Sequence, residues 1–600
     1  MQRPFIFAVI FTVLLSAILL SVPTACSHLK ANNKDELSSE KFKWNLENGK
    51  PMLVGDCTTI GNYVPIQVQG FGLVKNLAGT GADDINSMER KIVYDEMTRL
   101  GVGDTRSIMA DPSTAVVNVL GYLRPGIREG DLFDVEVRLP PETEAKSLRG
   151  GWLMTAKLYE TAYVGGSQPL QGKTKAFVEG PIMIDDPLAT ETKNPVGLKQ
   201  GIILSGARML ESRPIIVNMK SGAESAFITD RIAKEINHRF YISTGQKKGM
   251  ATAKTDSMIV LDVHPHYAND VARYLKVVQS IACYENTTKR MKRIEELKEK
   301  LMIPGKSQNA AFQLEAVGKE GIPALREGLK SKDVEVQFYA AVSLAYLGDN
   351  TPAKVLTKIS MSEPAFRVYT LNALSVMRND IEAETGLQEL LHVPSAETRY
   401  GAFRALRNRN PYDRTIRGEN LGSQFSYHGI NTPGNPMIHL SKSKRPEVVM
   451  FGTDIRLRQP FMLDAGPSIL VNGQQPGQVV VKKLVLSGVD QQRVVSNGVD
   501  EIIRAVVELG GTYPDVYQML HQASQAGVLP CRLEVDCLPE PNRIYRRPGG
   551  NDEEKEQKTE AEPPKKKTAL ERMNPKTWFE ENPGGKSTDY EGTTNTSVRE

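Results

Sequence analysis

Tyr339-Ala340-Ala341-Val342-Ser343-Leu344, Tyr369-Thr370-Leu371-Asn372-Ala373-Leu374 and Tyr400-Gly401-Ala402-Phe403-Arg404-Ala405-Leu406 carry one pattern three times, about thirty residues apart. A tyrosine opens each copy, and small Ala or Gly positions lie among larger apolar ones. Each copy follows a short break, at Lys332-Asp333, Ser362-Glu363-Pro364 and Pro394-Ser395. One helical pair of this kind cannot bury its apolar face alone. Stacked pairs can, and the small residues let neighbouring helices approach closely. The centre of the chain is therefore expected to be an α-solenoid, an architecture that presents binding surfaces or spaces domains.

The block resembles short HEAT-like repeats over roughly residues 309–410, and the highly charged stretch Lys289–Lys300 leads into it as continuous helix. Upstream, from Pro214 to Ile281, a strand–helix unit occurs twice. Ile215–Met219 reads as a strand, and Ile228, Ile232 and Ile236 mark one helix face at spacing four. Met258–Val263 is again a strand, and Val271, Leu275 and Val278 again mark a helix face. Two such units can lay both helices on one sheet. From Pro51 to Ile184 short strand-like runs dominate, among them Val64–Val68, Leu132–Val137 and Trp152–Met154. One helix interrupts them, with Asp83-Asp84 as cap candidates and Ile85, Met88, Ile92 and Met97 at roughly helical spacing.

Downstream, Pro411–Pro436 reads as a polar loop. Strands resume at Glu447–Met450, Ile469–Val471 and Val479–Leu486. Two helices follow, through Val499–Leu509 and from Pro514 to Gly527, then a last strand at Leu533–Val535. After Pro539 the composition turns to charge, Pro, Gly and Thr, including Lys565-Lys566-Lys567, which is expected to be disordered.

Composition removes several classes of function. At 600 residues the chain exceeds a single core. Lys plus Arg is 75 against 71 for Asp plus Glu, so net charge offers no electrostatic footprint for nucleic acid. Five Cys exclude a disulfide-dense scaffold. The N-terminus has Arg3, an apolar run Phe5–Leu20 and small residues through Cys26, the order of a secretory signal peptide. Cys26 after Thr24-Ala25 also fits a lipoprotein cleavage box, although Pro23 stands where an aliphatic residue is usual. Plain cleavage and an uncleaved anchor are the other readings, since Phe5–Val22 is just long enough to cross a bilayer.

Candidate chemistry is sparse. Gly79-Thr80-Gly81 lacks the Gly-Lys-Ser/Thr of a phosphate loop and fits a tight turn. His264-Pro265-His266 places two histidines on one side of an extended segment, without a third ligand at a known metal spacing. Glu142 and Glu144 follow two prolines in what reads as a solvated loop. No catalytic residue and no cofactor is expected. Cys57, Cys283, Cys531 and Cys537 could pair in an exported protein in three ways. A Cys531–Cys537 bridge is disfavoured if that whole stretch is strand, because six extended residues span up to ~20 Å.

Several segments resemble the flagellar P-ring protein family. They are Gln69–Val74 with Leu77–Asp83, then Ala145–Thr155, then Ala207–Glu211, and at the end Val499–Leu509, Gly510-Gly511-Thr512, Pro514-Asp515, Met519–Gly527 and Cys531–Glu534. They fall in family order and cover most of 50–285 and 445–536. The helical block and the charged tail are extra to that pattern, and where the family often carries a cysteine partner for the one matching Cys531 this chain has Ala465 or a neighbour of it. The residue patterns above, taken with this resemblance, give an α+β multi-domain protein. Its parts would be a signal peptide (1–26), a linker (27–46), a β-rich domain (47–195), a βαβα domain (196–285), the HEAT-like insertion (286–412), a C-terminal α+β part (413–538) and a disordered tail (539–600). The resemblance implies a non-enzymatic subunit joining itself in a periplasmic ring around the flagellar rod, beside the L-ring protein and peptidoglycan. The partner of the repeats is left open. Lys146, Ser147, Leu148, Arg149, Gly150 and Gly151 are the implied positioning element, with Lys146 and Arg149 able to reach carboxylates on a neighbour. An exported HEAT-like scaffold of another envelope complex is the alternative.

Overall fold

The computed structural model describes residues 51–163, 169–244, 246–485, 489–541 and 543–547. The expected signal peptide, Cys26 and the linker lie outside them, as does the tail after 547.

The chain enters through α1 (Val54–Cys57) and β1 (Thr58–Gly61), which belong to a sheet completed only later. A barrel follows. Its elements are β2 (Ile66–Lys75), α2 (Met88–Arg99), α3 (Thr105–Ala110), β3 (Ala115–Leu123), β4 (Leu132–Arg138), β5 (Trp152–Tyr163), β6 (Pro169–Pro181), β7 (Met183–Ile184), α4 (Pro195–Leu198) and β8 (Gln200–Met209). The strands pair in the order β4-β3-β2-β5-β6-β8, and β4 also pairs with β8, so the sheet closes on itself. Closure leaves no edge among these six strands to recruit another chain. Alternate residues point inward: Val117, Val119, Val135, Val137, Leu158 and Val178 are buried in one core.

Two expectations are corrected here. The barrel runs to Met209 rather than stopping at 195, because β8 supplies the closing strand. Helix α2 begins at Met88, where the Ser87 hydroxyl accepts the Arg90 N–H at 3.0 Å. The Asp83-Asp84 pair is used elsewhere: Asp83 forms an ion pair with Arg90, and Asp84 accepts from Thr143 and Glu144. Ile85 is consequently 71% exposed, and Val93 is the buried residue of α2.

Next come β9 (Ile215–Met219), α5 (Ala226–Arg239), β10 (Tyr241–Thr244), β11 (Gln246–Gly249), β12 (Ala251–Ala253), β13 (Met258–Leu261) and α6 (Val271–Gln279). Strand β1 returns to pair with β9, giving an antiparallel sheet β1-β9-β13-β12. Ile228, Ile232 and Ile236 of α5 and Leu275 and Val278 of α6 share a core with Ile215, Val217, Ile259 and Leu261. Residues 54–61 thus belong with this second module, not with the β-rich domain that surrounds them in sequence.

The repeat block holds α7 (Thr287–Leu301), α8 (Ser307–Val317), α9 (Ile322–Gly328), α10 (Val334–Tyr346), α11 (Ala353–Ser362), α12 (Arg367–Val376), α13 (Ile381–Leu390) and α14 (Ala396–Arg409). Helices α8, α10, α12 and α14 stack as one layer, and the others cover it. Ala340, Ala341, Ala345, Ala373 and Ala402 are buried at the contacts, as their small size predicts.

The C-terminal part has β14 (Gly418–Leu421), β15 (Phe425–Ile430), β16 (Met437–Leu440), β17 (Glu447–Phe451), β18 (Met462–Ala465), β19 (Ile469–Asn472), β20 (Val479–Lys483), β21 (Gln491–Val495), α15 (Val499–Glu508), α16 (Tyr513–Gln525) and β22 (Arg532–Val535). They make a five-stranded sheet, β14-β15-β17-β16-β22, and a four-stranded meander, β18-β19-β20-β21. Both β14 and β15 arise within the stretch expected to be loop. Phe425, Tyr427 and Ile430 are buried there, a tertiary burial that the polar residues between them mask.

Residues 539–541 and 543–547, expected to be disordered, instead run along the repeat block. Tyr369 donates to the Pro541 carbonyl at 2.9 Å, Tyr545 packs on Phe366 with centroids 4.6 Å apart, and Arg543 and Arg547 pair with Glu397 and Glu335.

Candidate functional site

The 145–151 element is a loop tied into the barrel from two sides. The Lys146 N–H donates to the Thr80 carbonyl at 2.8 Å, and the Thr80 hydroxyl donates to the Ser147 carbonyl at 2.9 Å. Two motifs read separately from the sequence, Gly79-Thr80-Gly81 and Lys146–Gly151, therefore form one zipped surface. On the other side the Leu148 N–H donates to the Leu198 carbonyl at 2.8 Å, and Leu148 is fully buried. Gly150 has φ +74°, and a Cβ there would stand 2.6 Å from the Pro467 ring. That contact seats the C-terminal meander against the barrel. Lys444, whose N–H donates to Asp134 at 2.6 Å, and Lys442, whose ammonium donates to the Asp185 carbonyl at 2.8 Å, extend it.

Arg149 is spent inside the subunit. Its guanidinium donates to the carbonyls of Pro187 and Ala189, at 3.1 and 2.7 Å, and burial pulls its pKa below the ordinary value. The Lys146 side chain is exposed and keeps its reach. Replacing Gly150 with alanine meets both the left-handed backbone and Pro467. We expect a loss of about 1–3 kcal/mol, read as a lower thermal midpoint. An unchanged midpoint would show that the meander yields freely.

The other candidates resolve structurally. Glu142 and Glu144 are exposed. His264 caps a short 3-10 turn by accepting the His266 N–H at 3.2 Å, and His266 packs on Tyr346 with centroids 5.8 Å apart. Burial pulls the His266 pKa down to about 4. Among the described residues no cluster of three His, Cys, Asp or Glu is arranged to hold a metal, and no helix is long and apolar enough to cross a membrane.

Sequence reading missed the two polar joints that fasten the repeat block. At the front, Arg273 of α6 pairs with Glu315 of α8 and donates to Ser343 at 2.8 Å, while Tyr267 donates to Glu315 at 2.8 Å. At the back, the fully buried Glu447 of β17 accepts from Arg407 at 2.8 Å, from Arg404 at 3.3 Å and from Tyr400 at 2.5 Å. Beside it His439, with no exposure, stacks on Tyr400 at a centroid distance of 3.4 Å. Burial pulls the His439 pKa down to about 3. Above about pH 6.5 the ring is neutral in both folded and unfolded chains, so it has no influence on stability there. As pH falls from that value toward the folded pKa, only the unfolded chain takes the proton. Stability should then fall by up to about 1.4 kcal/mol per pH unit. His439→Phe should flatten the slope of urea midpoint against pH between 6.5 and 4.5, and an unaltered slope would remove His439 as its cause.

Against this geometry stand the known proteins. Residues 54–296 match the flagellar P-ring protein family. The matched range takes in the barrel, the second module and the first turns of α7. The flagellar P-ring protein of Thermotoga maritima is 27% identical over 226 residues, 36% of this chain and 62% of that relative. That of Thermotoga petrophila is 27% identical over 225 residues, with the same coverage. The Geobacter sulfurreducens protein is 25% identical over 221 residues, 35% of this chain and 55% of its own length. The chain thus spans about three-fifths of the Thermotoga relatives it matches. The P-ring-like segments read between 445 and 536 lie beyond the match, as do most of the repeats.

Proposed function

We propose that this protein is a structural subunit of the flagellar basal-body P ring, with copies joined head to tail into a periplasmic annulus that acts as a bushing for the rotating rod. The observation that carries the reading is the family match over 54–296, which coincides with two complete folded units. Relatives named for a ring component also favour a structural role over catalysis. A heterologous interface closes into a ring when its rotation divides the circle. Within that reading the exposed Lys146 is the charge on the 145–151 loop that can meet a neighbour's carboxylate, because Arg149 is already used. The rod, the L-ring protein and peptidoglycan are the partners the reading brings with it. The repeat block belongs on the outer side of the ring, since a lumenal position would obstruct the rod. Cys26 remains the proposed lipid site should the protein be anchored.

Deleting the gene tests the reading. Cells should lose motility, and isolated basal bodies should lack the periplasmic ring. Normal basal bodies would overturn it. The second reading, an exported HEAT-like scaffold in another envelope assembly, draws on the repeat and C-terminal parts lying outside the family match. It would be favoured if motility persists and the protein co-purifies with a different complex.

A further inference from the structure

The contacts of residues 543–547 follow the repeat rather than merely touching it. Glu335, Phe366 and Glu397 stand at or beside the first turns of α10, α12 and α14, at a constant spacing of 31 residues. Against them lie Arg547, Tyr545 and Arg543, alternate residues of an extended chain running antiparallel to the repeat order. Each repeat thus receives one side chain. Arg547 donates twice to Glu335, with Nε at 2.8 Å, Tyr545 packs on the Phe366 ring, and Arg543 pairs bidentately with Glu397, with Nη1 at 2.8 Å. The slots are built in advance. Arg367 holds Glu397 in place at 3.0 Å, the Gly305 N–H donates to Glu335 at 3.1 Å, and Phe338 stacks behind Phe366 at 4.0 Å. A row of acidic and aromatic slots at repeat spacing is how a helical solenoid reads an extended arginine- and tyrosine-bearing segment.

The segment in the groove is only shallowly held. Ile544 between the contacts is 73% exposed, and the side chains of Arg543 and Arg547 are 34% and 39% exposed. An open cavity of about 470 Å³ flanks the Arg543–Glu397 pair, lined among others by Arg532, Glu534 and Glu540. The segment is joined to β22 through Pro539-Glu540-Pro541, the link whose geometry decides which copy's groove it reaches. We propose that this edge of the repeat block is a docking groove for the 538–547 segment of a second copy of the chain, filled in the isolated molecule by the chain's own segment. The contacts are the same in either arrangement, so exchange forfeits none of them. The balance is set by the geometry of that link and by the local concentration of neighbours. Assembly side by side, which rests on the ring reading above, would raise that concentration and turn an internal strap into a link between subunits.

Two full-length variants test this in solution without a flagellum. One carries Arg543→Glu and Arg547→Glu, leaving its groove empty. The other carries Glu335→Lys and Glu397→Lys, which remove from its own groove the carboxylates that Arg547 and Arg543 pair with, and a photoreactive phenylalanine analogue at position 545. Mixed and illuminated, they should give a covalent heterodimer cross-linked at Phe366 or its neighbours, which the 545-labelled variant alone forms at least ten-fold less. Absence of that heterodimer, with both variants melting cooperatively, overturns the proposal. A second arm includes the wild-type chain. A fluorescent synthetic peptide of residues 538–547 should bind the wild-type chain, and at least ten-fold more tightly the variant reversed at Arg543 and Arg547. The same peptide with both arginines changed to glutamate should not bind. If the peptide binds neither protein, there is no exchangeable groove and the proposal falls. If it binds but the heterodimer does not form, a second copy is not the occupant and the proposal likewise falls. Because neither arm involves motility, failure here leaves the gene-deletion result standing, and the reverse also holds.

Discussion

Arg273→Met should be the most damaging single change in the front joint, at about 3–5 kcal/mol. The Glu315 side chain has no exposure, and Arg273 is the cation paired with it. Removing the guanidinium leaves a carboxylate in the interior with, among the described residues, the Tyr267 hydroxyl as its remaining side-chain donor. It also strips Ser343 of its 2.8 Å donor. The arginine lies between the Phe312 and Tyr346 rings, 5.1 and 4.9 Å from their centroids, so methionine fills much of the space but none of the charge. Adding Glu315→Leu to the same chain should recover most of the loss, because the cost comes from an unpaired charge rather than from lost packing. Urea unfolding of the two variants checks this. If the double variant is as weak as the single one, the joint depends on the hydrogen-bond network and not on charge balance.

The second large effect concerns Cys57 and Cys283. Both are buried, and their sulfurs stand 3.7 Å apart. Backbone pairing brings the two segments together: the Cys283 N–H donates to the Met52 carbonyl at 2.9 Å, and Leu53 bridges Ala282. In an oxidising compartment we expect the two thiols to pass two electrons and two protons to a thiol-oxidising disulfide protein and form one S–S bond. The bond would link residues 226 apart in sequence. Chain-entropy arithmetic for a loop of that size gives about 5 kcal/mol of stabilisation. Protein taken from the cell envelope and denatured without reductant should resist alkylation at both cysteines. Changing both cysteines to serine should lower the urea midpoint to that of the reduced wild type. Full alkylation of both thiols before reduction would exclude the bridge.

Much of this molecule is legible in the chain because its signals are local. Ile228, Ile232 and Ile236 declare a helix face by spacing alone, and all three are buried where that face meets a sheet. The recurrence of Tyr339, Tyr369 and Tyr400 with small neighbours declares the stacked repeats. Helix periodicity and turn chemistry act over a few residues, and such patterns survive without knowledge of partners. Four other features were decided only when distant segments met. Strand β8 closes the barrel onto β4. Residues 54–61 leave their sequence neighbours to complete a sheet with 215–219. Arg273 finds Glu315, and Arg543–Arg547 find the repeat edge. In each case the free energy lies in a pairing across many residues, a strand edge satisfied or a charge neutralised, and nothing in the composition of either partner alone names the other. The tail shows this most directly: charge and proline predict solvation, yet Tyr545 and two arginines settle on acidic and aromatic slots that only a folded solenoid creates.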